Sequence, residues 1–149
     1  MAVSFRDARR DDVAALVAML ADDPLGQARE AADLAPYLAA FEEIAANPMH
    51  QLIVGELDGR IVATCQVTIL AGLSRQGAKR ALVEAVRVVA DLRGQRIGEA
   101  MMAECEARAR VAGASVIQLT TDKTRLRAHG FYDRLGFTAS HIGYKRKIE

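Results

Sequence analysis

The chain is short of cysteine, of net charge and of long apolar runs, and each shortage closes off a class of function. Its 149 residues include two cysteines, Cys65 and Cys105. They lie far apart, match neither a metal-ligand nor a redox spacing, and fall in apolar runs. They read as buried free thiols, consistent with a reducing cytoplasm. No His/Cys/Asp cluster has metal spacing, so no metal is expected. Lys and Arg number 20 against 19 Asp and Glu, a net charge of +1. That is not the basic footprint of a nucleic-acid binder, and no helix-turn-helix signature accompanies it. No run of eighteen apolar residues is present, so no membrane span is expected. Met1 to Asp7 lacks the apolar core of a signal peptide, which points to a cytoplasmic location. Repeats, low-complexity tracts and linkers are absent. What is there, 51% apolar and 26% charged residues, is the profile of a soluble globular protein. The length predicts a single domain over 1–149 with a real core.

In chain order, the alternation from Val3 to Ala8 predicts a first strand. Asp11 or Asp12 can cap a helix through about Ala21, with Val13, Leu16, Val17 and Leu20 on one face. Asp22-Asp23-Pro24-Leu25-Gly26 breaks it. A second helix is clearest from Leu34 to Ala46, with Leu38, Phe41 and Ile44 as its buried side, and Asn47-Pro48 stops it. Gln51–Leu57 and Arg60–Leu70 read as strands joined by an Asp58-Gly59 hairpin turn. A central strand is expected at about Ala81 to Val89, a short strand at Val116–Thr120, a short helix from Arg125 to Leu135 capped by Gly136, and closing strands from Phe137 to Ile148 broken around Gly143. Hairpins followed by a strand–helix–strand unit predict an α/β fold, a mixed central sheet with helices on both faces.

The chain is organised around Glu84 to Ala112. Val86, Val88 and Val89 suit a buried strand. Arg93-Gly94-Gln95-Arg96-Ile97-Gly98 follows as a turn, and Ile97, Met101, Cys105 and Ala109 then recur every four residues along a helix ended by Gly113. The first turn of a helix has backbone N–H groups with no internal partner, and the macrodipole adds positive charge there. A glycine turn lets phosphate approach them, and Arg93 and Arg96 add full charges. The stretch therefore reads either as a pyrophosphate cradle or as a plain connection.

The run V-x-V-x-x-x-x-R-G-x-x-I-G from Val86 to Gly98 resembles motif A of the GNAT superfamily, the Gcn5-related N-acetyltransferases, whose Arg/Gln-x-x-Gly-x-Gly/Ala pattern wraps the pyrophosphate of acetyl-CoA. Ala128-His129-Gly130-Phe131-Tyr132-Asp133-Arg134-Leu135-Gly136-Phe137 resembles the end of the family's motif B, A-x-x-F-Y-x-x-x-G-F. The order of elements agrees along the whole chain, which looks like a small, bacterial-type, single-domain member. The sequence departs from the family in two places. Arg96 stands where the pattern has its first glycine, and Arg125 stands where many members carry a CoA-facing asparagine.

The resemblance implies the GNAT (acyl-CoA N-acyltransferase) fold, acetyl-CoA as co-substrate, and a cofactor site at Val86, Val88, Arg93, Gly94, Gln95, Arg96, Ile97, Gly98 and Arg125. Val86 and Val88 would contribute backbone, N–H groups near Val88 would hold the oxyanion, and both side chains would be core. Acetyl transfer needs a deprotonated amine, and an alkylamine has a pKa of roughly 10. Glu84, two residues before V-x-V, is the candidate base; otherwise it is a solvated strand-end carboxylate. Tyr132 is the candidate acid that reprotonates the thiolate; otherwise it is a core tyrosine. His129 reads as a surface or satisfied residue, and Glu99 is expected to point away from the cradle.

Neither cysteine is placed as a nucleophile, so direct transfer to the primary amine of a small molecule in a ternary complex is expected. Asp22, Asp23, Glu30 and Asp33 could attract a cationic amine. Arg75, Lys79 and Arg80 could hold an acidic group such as a carboxylate or phosphonate. Family analogy implies a homodimer. The alternatives are acetylation of a protein N-terminus or lysine, and a CoA-binding regulatory module without catalysis.

Overall fold

The computed structural model describes residues 2–149. Its elements run β1 (Ser4–Asp7), α1 (Val13–Ala21), α2 (Pro24–Arg29), α3 (Ala35–Ala46), β2 (His50–Leu57), β3 (Arg60–Leu70), a single turn α4 (Ser74–Gly77), β4 (Lys79–Val88), α5 (Ile97–Val111), β5 (Ala114–Gln118) and α6 (Leu126–Arg134). The chain divides into two compact units, one ending at Gln118 and the other comprising Leu119–Glu149.

The first unit is a mixed sheet in the order β1-β2-β3-β4-β5. The first four strands pair antiparallel and β5 runs parallel to β4. Successive strand residues point to opposite faces. Ile53 and Val54 are both fully buried, so both faces of β2 are covered. Ile53 pairs with Cys65, and Cys65 Sγ lies 3.3 Å from Met101 Sδ and 3.2 Å from Cys105 Sγ of α5. Val54 packs in a cluster with Leu16 and Met19 of α1. Helices therefore lie on both faces of a two-sided core, as the sequence predicts.

The α5 stripe is borne out. Ile97, Met101, Cys105 and Ala109 are all buried, and Met102 joins them. Each such side chain contributes about 1.5–3 kcal/mol when fully buried, which holds α5 against the sheet. Arg108, half-buried, bonds Asp7 of β1, Gln51 of β2 and Glu104 of its own helix. At the start of α1, Arg6 pairs with Asp12 at 2.7 Å and Glu56 at 3.0 Å. The Arg6 guanidinium holds the Asp12 carboxyl below the usual carboxylate range.

The structure departs from the sequence reading at three places. Asp22 to Gly26 is not simply a break. Asp23 accepts the Gly26 N–H at 2.6 Å and Pro24 occupies the first helical turn, so α2 begins there. The apolar face of α3 is as expected, but Leu38, Phe41 and Ile44 are half-buried rather than buried. The closing strands expected over Phe137 to Ile148 do not form: residues 137–149 carry neither strand nor helix. A strand exists only when a neighbour completes its backbone hydrogen bonds. This stretch has no ladder partner among the described residues.

The second unit holds α6, which ends at Gly136 with φ 88°. Tyr132 stacks edge-on against Phe131 and Phe137, with ring centres 5.1 and 5.7 Å apart.

Candidate active site

The site begins where β4 changes character. Its first half, Lys79–Leu82, bonds β3 on one side and β5 on the other. The β5 ladder stops at Leu82 opposite Gln118, so among the described residues Val83–Val88 has a strand neighbour on the β3 side alone. The β3 register also slips. Thr64 faces Arg87 while Gln66 faces Glu84, leaving Ala85 and Val86 opposite Cys65. Ala85 carries the bulge at φ 54°, a left-handed conformation that costs an L-residue about 1–2 kcal/mol. The bulge turns this half of the strand out of the regular ladder, and the Val86 carbonyl there accepts from Arg87 Nη1 at 2.9 Å.

Glu84 stands at that bulge. It is exposed and forms no hydrogen bond or ion pair among the described residues. Val86 and Val88 are half-buried, not the core side chains expected, because the bulge and the missing β5 neighbour leave their surroundings open. Arg87, between them, pairs through Nε with Asp23 Oδ2 at 3.1 Å, with both side chains largely buried.

Beyond β4 the chain makes a 3-10 turn at Ala90–Leu92 and then the Arg93–Arg96 turn. Gly94 has φ 83°, and a side chain there would meet open space. Arg96, which stands in place of the family's glycine, adopts φ 65° and ψ 17°. The backbone thus keeps the conformation that glycine permits, although arginine pays for it. Gln95 and Arg96 are exposed, Ile97 is buried and Gly98 is half-buried. Arg93 turns back on the strand: its Nε donates to the Val88 carbonyl at 3.2 Å, and Nη2 lies 3.9 Å from Asp22 Oδ2. Glu99 is exposed.

Asp23 caps α2, whereas the N-cap residues of α1, α3, α5 and α6 give no side-chain cap. Asp23 takes a backbone N–H at the start of α2, Asp33 takes the Ala35 N–H at the start of α3, and Asp122 takes the Thr124 N–H just ahead of α6. No side chain caps α5. Its first-turn N–H groups therefore stay available to an anion, with guanidinium groups rather than carboxylates leading into them.

In the second unit, Arg125 is exposed at the N-cap of α6 and Tyr132 is half-buried in its aromatic trio. His129 Nε2–H donates to the Asp122 carbonyl at 2.9 Å, so it is a satisfied side chain.

Sequence reasoning missed two features here. The Ala85 bulge was hidden because alanine is an ordinary strand residue. The Arg87–Asp23 pair had a signal, a lone charge within an apolar strand. That pair also corrects the expectation that Asp23 is free to attract an amine: its carboxylate is neutralised by Arg87 and caps α2. Asp22 lies against Arg93. Of the other two acids, Glu30 accepts from the Tyr37 hydroxyl and Asp33 accepts the Ala35 N–H at 3.0 Å.

The hydrogen bond with Cys105 and burial push the Cys65 thiol well above the ordinary thiol range. It is placed as packing, not as a nucleophile. Among the described residues no group of three His, Cys, Asp or Glu could hold a metal, and no helix is long and apolar enough to cross a membrane. A groove of about 450 Å³ between α3 and β2 lies away from these groups. Its His50 is bonded to Thr68 and its Asp7 to Arg108, so it brings no free acid–base pair together.

The chain is similar to known proteins along most of its length. The family model described as Acetyltransferase (GNAT) family matches residues 13–137. The chain is 36% identical over 66 residues to an aminoalkylphosphonate N-acetyltransferase of Salmonella typhimurium, a stretch covering 44% of this chain and 43% of that protein. It therefore matches under half the length of this relative. A crystal structure of a transcriptional regulator from Bacillus halodurans C-125 superposes with a TM-score of 0.95 at 41% identity, covering 99% of this chain and 100% of the other. Glucosamine-6-phosphate N-acetyltransferase from Arabidopsis thaliana shares the fold, with a TM-score of 0.82 at 21% identity and full coverage of both chains. A mixed sheet, an uncapped α5 behind an arginine–glycine turn, and a family match spanning most of the chain lead to one conclusion: this protein belongs to the GNAT family of acetyltransferases.

Proposed function

We propose that the chain takes the acetyl group of acetyl-CoA and passes it to the primary amine of a small molecule that also carries an anionic group, by direct attack in a ternary complex. One observation carries this reading. The half of β4 that loses its β5 partner leads directly into the uncapped start of α5, so an open strand edge and an open helix end share one connection.

The residues fit acetyl-CoA. N–H groups from Gln95 to Gly98, with Arg93, Arg96 and Arg125, would hold its phosphates. The backbone edge at Val86 and Val88 would take its amide-bearing arm. The co-substrate supplies an acyl group activated as a thioester. Glu84, exposed on the bulge, accepts the amine proton. The amine nitrogen bonds to the carbonyl carbon, the carbon–sulfur bond breaks, and Tyr132 returns a proton to the leaving thiolate. Backbone N–H groups near Val88 stabilise the oxyanion.

Arg75, Lys79 and Arg80 are the cations for an acceptor's acidic group; Arg80 reaches Gln118 at 3.1 Å. The Salmonella relative, named for an amine bearing a phosphonate, supports that substrate class. The family match crosses both compact units, which supports one functional domain over 1–149. A cytoplasmic homodimer completes the proposal.

Ligand-induced thermal stabilisation tests it, followed by thiol release with a series of amines. Acetyl-CoA and CoA, but not ATP or NAD, should stabilise the protein. Ligand at a hundred times Kd adds about 2.7 kcal/mol. Aminoalkylphosphonates should then release thiol with a lower KM than alkylamines of equal length, and R75A/K79A should remove that difference. Absence of any shift with acetyl-CoA and CoA would overturn the site. Turnover confined to peptide amines would replace the small-molecule acceptor with a protein one.

A further inference from the structure

Arg93 touches three parts of the first unit. It opens the Arg93–Arg96 turn, its Nε donates to the Val88 carbonyl at 3.2 Å, and its Nη2 lies 3.5 Å from the Asp22 carbonyl and 3.9 Å from Asp22 Oδ2. Carbonyls two residues apart lie on the same side of a strand, and the Val86 carbonyl also takes an arginine, Nη1 of Arg87 at 2.9 Å. In this structure the chain's own guanidinium groups thus sit on the strand edge that the acetyl-CoA reading assigns to the amide-bearing arm.

The two arginines are held with different strength. Arg87 and Asp23 are 11% and 16% exposed and lie 3.1 Å apart, and Asp23 also takes the Gly26 N–H. Two charges so far from water are costly to separate, so this pair fixes where α2 begins. Arg93 and Asp22 are 44% and 59% exposed, and an exposed pair at that distance contributes little. A group with more charge displaces it.

Asp22 stands where an anion is poorly placed. It is the C-cap of α1, its own N–H bonded to the Met19 carbonyl, and the last turn of α1 has no basic residue. The negative end of the helix dipole and the carboxylate repel each other, and together they attract a cation. Arg93 supplies that cation here. Once Arg93 leaves, the place is open to another.

We propose that Arg93 is an exchangeable latch: the diphosphate of acetyl-CoA draws it off the Val88 carbonyl and Asp22, which opens the strand edge to the amide-bearing arm and frees Asp22 to take the ammonium group of the acceptor. This rests on the acetyl-CoA reading above and adds Asp22 to it as a specificity-determining residue. The Arg87–Asp23 pair is undisturbed by the exchange and keeps Asp22 in position. Charges and hydrogen bonds change partners; no covalent bond does.

Isothermal titration calorimetry of the full chain with acetyl-CoA tests the latch without requiring turnover. D22N should tighten binding by about three- to five-fold, the most that an exposed ion pair supplies, because Arg93 then has no competing partner. R93Q should weaken binding, and D22N added to R93Q should change nothing further. Tightening by D22N to the same degree in both backgrounds would mean that Asp22 acts only through its long-range field, and would overturn the latch. Wild-type affinity in D22N would overturn it too. With acetyl-CoA saturating, D22N should raise the KM of aminomethylphosphonate several-fold at unchanged kcat. An unchanged KM, or no turnover of this amine beside intact acetyl-CoA binding, would overturn the role of Asp22. Both positions are exposed, so the variants should keep the wild-type melting temperature. A wild type that fails to bind acetyl-CoA would overturn the cofactor reading and the latch together, whereas binding with additive variants would overturn the latch alone.

Discussion

The two halves of β4 are made from similar residues and have opposite uses. Lys79–Leu82 is bonded on both sides, and Ala81 is fully buried. Glu84–Val88 has a strand partner on the β3 side alone among the described residues, is bulged at Ala85, and has no residue in the hydrophobic core. The first half holds the sheet together. The second presents a carboxylate and a backbone edge with no second strand beside it among the described residues. Structure is complete in one half and deliberately incomplete in the other, and the change takes place across Val83. Unsatisfied backbone is costly when buried and useful when it meets a ligand.

The largest expected effect separates the halves by activity. Glu84→Gln should lower turnover by about 10²–10⁴-fold, while its melting temperature and acetyl-CoA affinity stay at wild-type values. Equal turnover would return Glu84 to the status of a solvated carboxylate and leave the outer half of β4 with no chemical role. The next separates them by stability. Ala81→Leu forces extra volume into a closed position and should cost about 1–3 kcal/mol in denaturant unfolding. Little loss there would show that the inner half is not the scaffold. The smallest concerns the bulge. Ala85→Gly should raise stability by about 1 kcal/mol, because glycine occupies φ 54° without the penalty alanine pays. A loss of stability would mean that the bulge is relaxed and the comparison overdrawn.

Much of the fold was legible from local pattern. The α5 stripe, the Asp58-Gly59 hairpin and the order of elements depend on periodicity and turn chemistry, which act within a few residues. The turn at Arg93–Arg96 was legible for the same reason: a glycine turn ahead of an apolar-striped helix is a local feature. Other parts were not. Ala85 gives no sign that it will take a left-handed φ, since the bulge is imposed by the register of β3. Asp23 looked like a free acid until folding brought Arg87 to it.

By itself, then, the sequence determined β1 to β5, the helices α1, α3, α5 and α6, and the turn that opens α5, because each is written in spacing and in side-chain preference. Tertiary structure alone decided where β5 lets go of β4, which acids are already paired, and that residues 137–149 have no ladder partner among the described residues. Those outcomes depend on pairing between segments distant in sequence. Alternation can mark a segment as a strand, but only a neighbour with free hydrogen-bonding groups makes it one.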